Sequence, residues 1–162
     1  MERVAQFIPV SDGQLCADWE DAFPGTAVPE RPQPPRRATA GSAGYDFRSP
    51  LDFHLDSGES IRIPTGYRAR IAPGWVLMLF PRSGLGFKYR LQLNNTVGIV
   101  DADYFGARNE GHIFIKLTNA GDRPLSVKRG EAFAQGVFLP FGLTEDDDAG
   151  GERLGGFGST GA

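Results

Sequence analysis

A single cysteine, Cys16, and two histidines, His54 and His112, stand in a chain of 162 residues. One thiol cannot close an intrachain disulfide, and so few thiols and imidazoles cannot assemble a Cys/His zinc set. That cysteine usage suits a reducing compartment, and a cytoplasmic location is expected. Long apolar runs are also missing. The longest, Trp75 to Phe80, is far short of the ~20 residues a membrane-spanning helix needs, and Met1–Val10 has no charged start followed by an apolar run. Neither a membrane span nor an export signal is expected. Nor is there an excess of positive charge: 17 Lys and Arg against 20 Asp and Glu give a net charge of −3, the opposite of the basic footprint of duplex-binding domains. No nucleic-acid partner is expected.

What the chain has is glycine, proline and phenylalanine. Gly (22) and Pro (12) supply 34 of 162 residues, short of the ~25–30% at which low-complexity disorder takes over. A folded domain with one core is the expectation. From Ser60 onward apolar residues recur with a period of two: Ile61/Ile63, Tyr67/Ala69/Ile71, Ile113/Ile115/Leu117 and Phe133/Gln135/Val137. Turn signals separate these runs at Asp56-Ser57-Gly58, Pro64-Thr65-Gly66, Ala72-Pro73-Gly74, Asn119 to Asp122 and Lys128-Arg129-Gly130. Such spacing predicts an all-β sandwich or barrel of roughly ten short strands. The one helical window is Gln14 to Phe23, with Leu15, Trp19 and Phe23 on one face, and Pro24-Gly25 ends it, so at most a short surface helix is expected.

Residues 1–144 read as the β domain, with a first strand at Val4 to Val10 and an insertion over about 11–35. Residues 145–162 read as a flexible arm: Glu145 to Asp148 is a solvated acidic hinge, and Gly155–Gly161 is too glycine-rich to pack as a strand alone. The basic cluster Arg31 to Arg37 is interleaved with proline and reads as a linker.

Three segments combine glycines with hydroxyls, arginines or carboxylates: Pro81-Arg82-Ser83-Gly84-Leu85-Gly86, Val97 through Tyr104, and the C-terminal Gly-Phe-Gly-Ser-Thr-Gly. Glycine lets backbone N–H groups approach an anion, and arginine offers a planar fork for phosphate oxygens. Together they suggest a polyphosphate ligand. The C-terminal stretch is no Walker loop, because no Lys follows its glycines. Asp101 and Asp103 stand two apart in an expected hairpin, which puts both on one face if the segment is regular, although a tight turn between them would break that rule; taken alone, either reads first as a turn-capping carboxylate. Tyr104, taken alone, is an ordinary core or rim aromatic. No Ser/His/Asp set has a recognisable spacing, and Cys16 has no partner histidine nearby to make it a nucleophile.

Five segments in order bring a resemblance. Ser42-Ala43-Gly44-Tyr45-Asp46-Phe47, then Pro81 to Gly86, then Asn95 through Gly106, then Arg129-Gly130-Glu131-Ala132-Phe133-Ala134-Gln135, and finally Arg153 with Gly155–Gly161 resemble the five motifs of the trimeric dUTPases. The resemblance covers about three quarters of the chain and implies a jelly-roll-like β subunit, a homotrimer, and sites built where subunits meet and closed by the C-terminal arm. It implies hydrolysis of dUTP to dUMP and pyrophosphate, which limits uracil incorporation into DNA and supplies dUMP for thymidylate synthesis. By the same resemblance Asp101 is the general base. Asn95, Gly98, Ile99 and Val100 hold uracil, and Tyr104 stacks on the sugar and leaves no room for a 2′-hydroxyl. Arg82, Ser83, Gly84 and Gln135 bind phosphates; Arg153, Phe157, Gly158 and Ser159 belong to the arm; Asp46 is a supporting carboxylate. Mg²⁺ is implied, held by substrate phosphates and water with no direct protein ligand.

The chain departs from the family pattern at Phe105, usually polar or basic, and in a longer connection from Gly106 to His112. Arg153 stands four residues before Phe157, where five are usual, and the 11–35 insertion has no placed counterpart; a protein partner for it is one expectation. A dCTP deaminase is the rival enzyme, but its glutamate three residues before an asparagine is here Lys116. A non-catalytic binding protein is disfavoured by Asp101, Tyr104 and the complete fifth motif.

Overall fold

Alternating burial along short segments dictates the architecture of this computed structural model, which describes residues 2–151. Twelve strands form among them: β1 (Ala5–Pro9), β2 (Arg36–Arg37), β3 (Tyr45–Arg48), β4 (Phe53–Leu55), β5 (Ser60–Pro64), β6 (Tyr67–Ile71), β7 (Trp75–Pro81), β8 (Leu91–Leu93), β9 (Gly98–Val100), β10 (Phe114–Asn119), β11 (Leu125–Val127) and β12 (Ala132–Pro140). Every pairing is antiparallel. A five-stranded sheet runs β2-β3-β12-β7-β9, a three-stranded one β5-β10-β8, and β1-β6 and β11-β4 pair separately. The expected all-β body is therefore present, with two strands more than anticipated.

The core lies between the inner faces. Phe47, Leu77, Leu79 and Phe133 from the large sheet pack in one cluster with Ile63, Leu93, Ile115 and Leu117 from the small one. Along β10 the alternation is clean, with Ile115, Leu117 and Asn119 inward. On β12 the expected Phe133/Gln135/Val137 series is broken. A bulge between Ala132 and Ala134 makes Phe133 and Ala134 both buried and turns Gln135 out of the core.

Helix α1 (Asp12–Ala22) begins where the Ser11 hydroxyl accepts from Gln14 N at 3.1 Å, and it buries Leu15 and Trp19. Trp19 stacks on Phe23 at 4.7 Å and donates from its indole to Thr26 Oγ1. The basic cluster is more ordered than a linker: Arg36–Arg37 form β2, and Arg31 donates to Val10 O and pairs with Asp12. No helix of the described residues is long and apolar enough to cross a membrane.

Candidate active site

The segment after β8 builds the first half of the site. The chain turns through Asn94–Val97, with Thr96 at φ 66° and a bridge from Leu93 to Thr96, and then runs into β9. Since β9 is the last strand of its sheet, only one of its sides is used by β7, and its residues line a cavity of about 480 Å³. That cavity gathers Asn95, Gly98, Ile99, Val100, Asp101 and Tyr104, all of them candidates from the sequence. Ile99 is half-exposed at its wall. An edge strand offering N–H and C=O groups beside an apolar wall suits a flat, hydrogen-bonding ligand such as a nucleobase. Lys116, at the position that argues against a deaminase, also lines the cavity, and sequence reasoning gave it no place there.

The expected hairpin through Asp101 and Asp103 is corrected by the structure. A 3₁₀ turn, Ala102–Gly106, begins immediately after Asp101, closed by Tyr104 N donating to Asp101 O at 3.2 Å. Its threefold winding takes the two carboxylates off a common strand face. Asp101 is half-buried in the cavity lining, and Asp103 is exposed. Tyr104 is buried, and its hydroxyl donates to His112 O at 2.8 Å while accepting from Asn109 Nδ2 at 2.8 Å.

The second half is charged. Arg82 precedes a second helix, α2 (Ser83–Tyr89), outside the one helical window that the sequence offers. Gly84 and Gly86 cost helix propensity, but Leu85 packs against the core and Arg90, at φ 54°, caps the end. Arg82 Nη1 pairs with Asp46 Oδ2 at 2.6 Å, tying the first motif to the second. Gln135 Nε2 donates to Pro81 O at 3.3 Å. Gly44 lies close beside it: a Cβ there would stand 2.5 Å from Gln135 Oε1, so a larger residue would displace the Gln135 amide. A separate cavity of about 410 Å³ is lined by Arg48, Arg82, Gly84, Leu85, Glu131 and Ala132. Arg48 was not anticipated; its signal was its place two residues after Asp46, and it is oriented by donating to Gly130 O at 2.8 Å. No residue lines both cavities.

Arg153, Phe157, Gly158 and Ser159 lie outside the described residues. The insertion, by contrast, folds back onto its own subunit through Leu15, Trp19 and a 2.5 Å bond from His112 Nδ1 to Asp18. No observation supports a protein partner for it.

Comparisons with known proteins place this geometry. The dUTPase family model matches residues 31–161. The deoxyuridine 5'-triphosphate nucleotidohydrolase of Lactococcus lactis is 42% identical over 131 residues, covering 79% of this chain and 87% of that protein. That of Chromobacterium violaceum is 40% identical over 135 residues, covering 78% and 87%. The crystal structure of dUTPase from Streptococcus mutans superposes with a TM-score of 0.63 at 34% identity, over 88% of this chain and 99% of that one. A mutant dUTPase from phage phi11 of S. aureus, at 20% identity and a TM-score of 0.64 over 91% and 97%, shares the fold; its structure is described as revealing the coordination of a structural Mg(II) ion. The sheet order, the edge-strand cavity and the Arg82–Asp46 cradle thus sit in an all-β, jelly-roll-like hydrolase that converts dUTP to dUMP and pyrophosphate, and the chain belongs to the dUTPase family.

Proposed function

We propose that the hydrolysis proceeds by attack of water on the α-phosphorus, with Asp101 as general base, in a site shared between subunits of a homotrimer. One observation carries the reading: Asn95 to Val100, Asp101 and Tyr104 line one cavity, while Arg82 and Gly84 line another that shares no residue with it. A nucleotide has to engage both kinds of group at once, and apposition of two subunits supplies that.

Uracil pairs with the open side of β9 and with Asn95, between the walls made by Gly98, Ile99 and Val100. The Tyr104 ring backs the deoxyribose. Asp101, in the lining of the same cavity, takes the proton of the attacking water. Arg82, Ser83, Gly84 and Gln135 hold phosphate oxygens, and Asp46 orients Arg82 through their 2.6 Å pair. Arg153, Phe157, Gly158 and Ser159 close the arm over the nucleotide, and loss of the arm by truncation after Asp148 lowers turnover while the β body still folds. The four-to-Phe157 spacing of Arg153 is read by Arg153→Ala: impaired turnover places its guanidinium on the phosphates.

The donor set fits Mg²⁺ as an ion carried by the nucleotide. Among the described residues no three His, Cys, Asp or Glu converge, and Asp46 is taken up by Arg82, so the cradle presents cations for phosphate oxygens. Carried in by those phosphates, Mg²⁺ would supply neutralising charge to the pyrophosphate leaving group. Chemistry on the deoxynucleotide pool supports a cytoplasmic location, in which the chain limits uracil in DNA and supplies dUMP. The test is incubation with dUTP, dCTP, dTTP and UTP plus Mg²⁺: pyrophosphate forms from dUTP alone, whereas ammonia from dCTP or equal turnover of all four overturns the reading.

A further inference from the structure

Two features that no motif contains, the α1 segment and the longer connection after Gly106, meet each other, and they meet at Tyr104. The phenol has one proton to give, and His112 O can only accept, so the donation goes there and the Asn109 amide donates to a lone pair of the phenol oxygen. The orientation of that amide is fixed independently, because Asn109 Oδ1 accepts from Gly111 N at 3.2 Å and a backbone N–H can only donate.

Around this contact the connection is wound tightly. Ala107 N donates to Tyr104 O, Glu110 N to Ala107 O and His112 N to Asn109 O, at 3.0, 2.8 and 3.1 Å. Glu110 and Gly111 both take positive φ, 57° and 68°. At Gly111 a Cβ would stand 2.4 Å from Tyr104 O, so the loop backbone lies directly on the turn that carries the tyrosine.

Helix α1 fastens the loop from behind. Ser11 donates to the Glu110 carboxylate from both N and Oγ, at 2.9 and 2.6 Å. Gly66 N donates to His112 Nε2 at 2.8 Å, which leaves the ring proton on Nδ1 for Asp18. Phe105, the departure from the family pattern, lies under Arg68 and Arg70, with guanidinium carbons 4.2 and 5.4 Å from its ring centre, and pins the other side of the turn.

We infer that Asn109 is a positioning residue for sugar selection: its amide holds the Tyr104 hydroxyl so that the ring stays a fixed wall beside C2′ of the nucleotide, and α1, through Asp18 and Ser11, holds the Asn109 loop. The inference rests on the reading of Tyr104 as the sugar wall. A ring that can swing makes room for a 2′-hydroxyl, so loss of the anchor relaxes discrimination against UTP more than it slows dUTP hydrolysis. The removal of one well-made neutral hydrogen bond corresponds to about a tenfold effect.

The experiment measures kcat/KM for dUTP and for UTP on the full chain with Mg²⁺, in Asn109→Asp, Tyr104→Phe, their double variant, Tyr104→Ala and Asp18→Asn. Asn109→Asp keeps the size and the acceptor for Gly111 N but cannot donate to the phenol, whose one proton then serves either His112 O or the new carboxylate, so the hydroxyl keeps one of its two bonds; the added charge acts on both triphosphates alike and cancels in the ratio. If a thermal melt shows it unfolded, Asn109→Ala takes its place. The dUTP to UTP ratio is expected to fall about tenfold in Asn109→Asp, to fall comparably in Tyr104→Phe, and to fall no further in the double variant. Asp18→Asn shifts the ratio in the same direction by a smaller factor. An unchanged ratio in Asn109→Asp, with a large fall in Tyr104→Ala, overturns the positioning role and leaves the sugar wall standing. A second full fall on adding Asn109→Asp to Tyr104→Phe also overturns it, because the residue then acts by another route. An unchanged ratio in Asp18→Asn removes α1 from the mechanism, and an unchanged ratio in Tyr104→Ala overturns the sugar wall itself.

Discussion

The phosphate cradle and the Tyr104 wall solve opposite problems. At the cradle, charge does the work: Arg82 is partly exposed, is aimed by a single carboxylate, and sits beside Arg48 in an open hollow. At the wall, Tyr104 is neutral and buried, and its position is set by hydrogen bonds to main chain and from the half-buried Asn109, on a loop braced by α1. A triphosphate can be recognised by field strength, which tolerates small displacements. Rejecting one extra hydroxyl requires a surface that does not yield. On the proposed reading, the α1 segment and the connection after Gly106 both serve the second task.

The comparison breaks most sharply at Asp101, which belongs to neither recognition device. Asp101→Asn is expected to cut turnover by about 10²–10⁴-fold, the usual loss for a general base, while dUMP affinity stays near wild type. Steady-state kinetics with calorimetric dUMP titration reads both; turnover near normal removes Asp101 from its role. On the rigid side, Trp19→Ala empties a buried indole site behind α1 and should destabilise the fold by about 3–5 kcal/mol, read by denaturant unfolding. A loss below about 1 kcal/mol would mean that α1 is not integral to the wall's support.

On the charged side, Arg82→Ala is expected to lower kcat/KM for dUTP by about 10–100-fold, since it removes a charged phosphate contact and leaves Asp46 unpaired. Deoxyuridine affinity should not change. Raising salt should weaken dUTP binding in the wild type more than in this variant, because exposed charge is screened. Equal salt slopes would contradict the contrast between field and shape.

The smallest effect is a pH dependence on the rigid side. Burial of His112 pushes its imidazole below the ordinary value of 6.5, against the opposing pull of Asp18. The neutral ring is the one the fold accepts, since Gly66 N already donates to Nε2. A depressed base contributes no penalty above its unfolded value and a growing one as pH falls beneath it, so stability should hold above about pH 6.5 and decline below. Glu110 and Asp52, held low by hydrogen bonds from Ser11 and from Arg129 N, titrate further down and do not enter this window. Melts between about pH 7.5 and 5.5 should show the decline in wild type and its loss in His112→Gln.

The sheet body was legible because a period of two survives in β5, β6 and β10, where one face is buried, and because glycine and proline punctuate the strands. Motif residues of the uracil side could be brought together from sequence, since Asn95 through Tyr104 are local. What escaped was set by tertiary contact. Helix α2 forms despite two glycines because Leu85 has a core to meet, and the bulge at Ala132–Ala134 turns Gln135 from the core toward Pro81. The 3₁₀ turn after Asp101 is fixed partly from 107–112, and nothing local announces it. Asn109, Asp18 and His112 were invisible as a group, because a hydrogen bond across 94 residues leaves no spacing to read.

The most direct test of a site shared between subunits is complementation. Asp101→Asn removes the general base from the uracil-side cavity and Arg82→Ala disables the phosphate side; the two chains are unfolded together, refolded at equal amounts, and assayed for pyrophosphate release from dUTP. Sedimentation should give a mass three times the 17.5 kDa of the chain, and random mixing should return about a quarter of wild-type turnover, because a site drawing its two halves from different subunits can receive both intact. Turnover no greater than the sum of the two variants refolded separately would mean that every site draws both halves from one chain, and it would contradict the shared site.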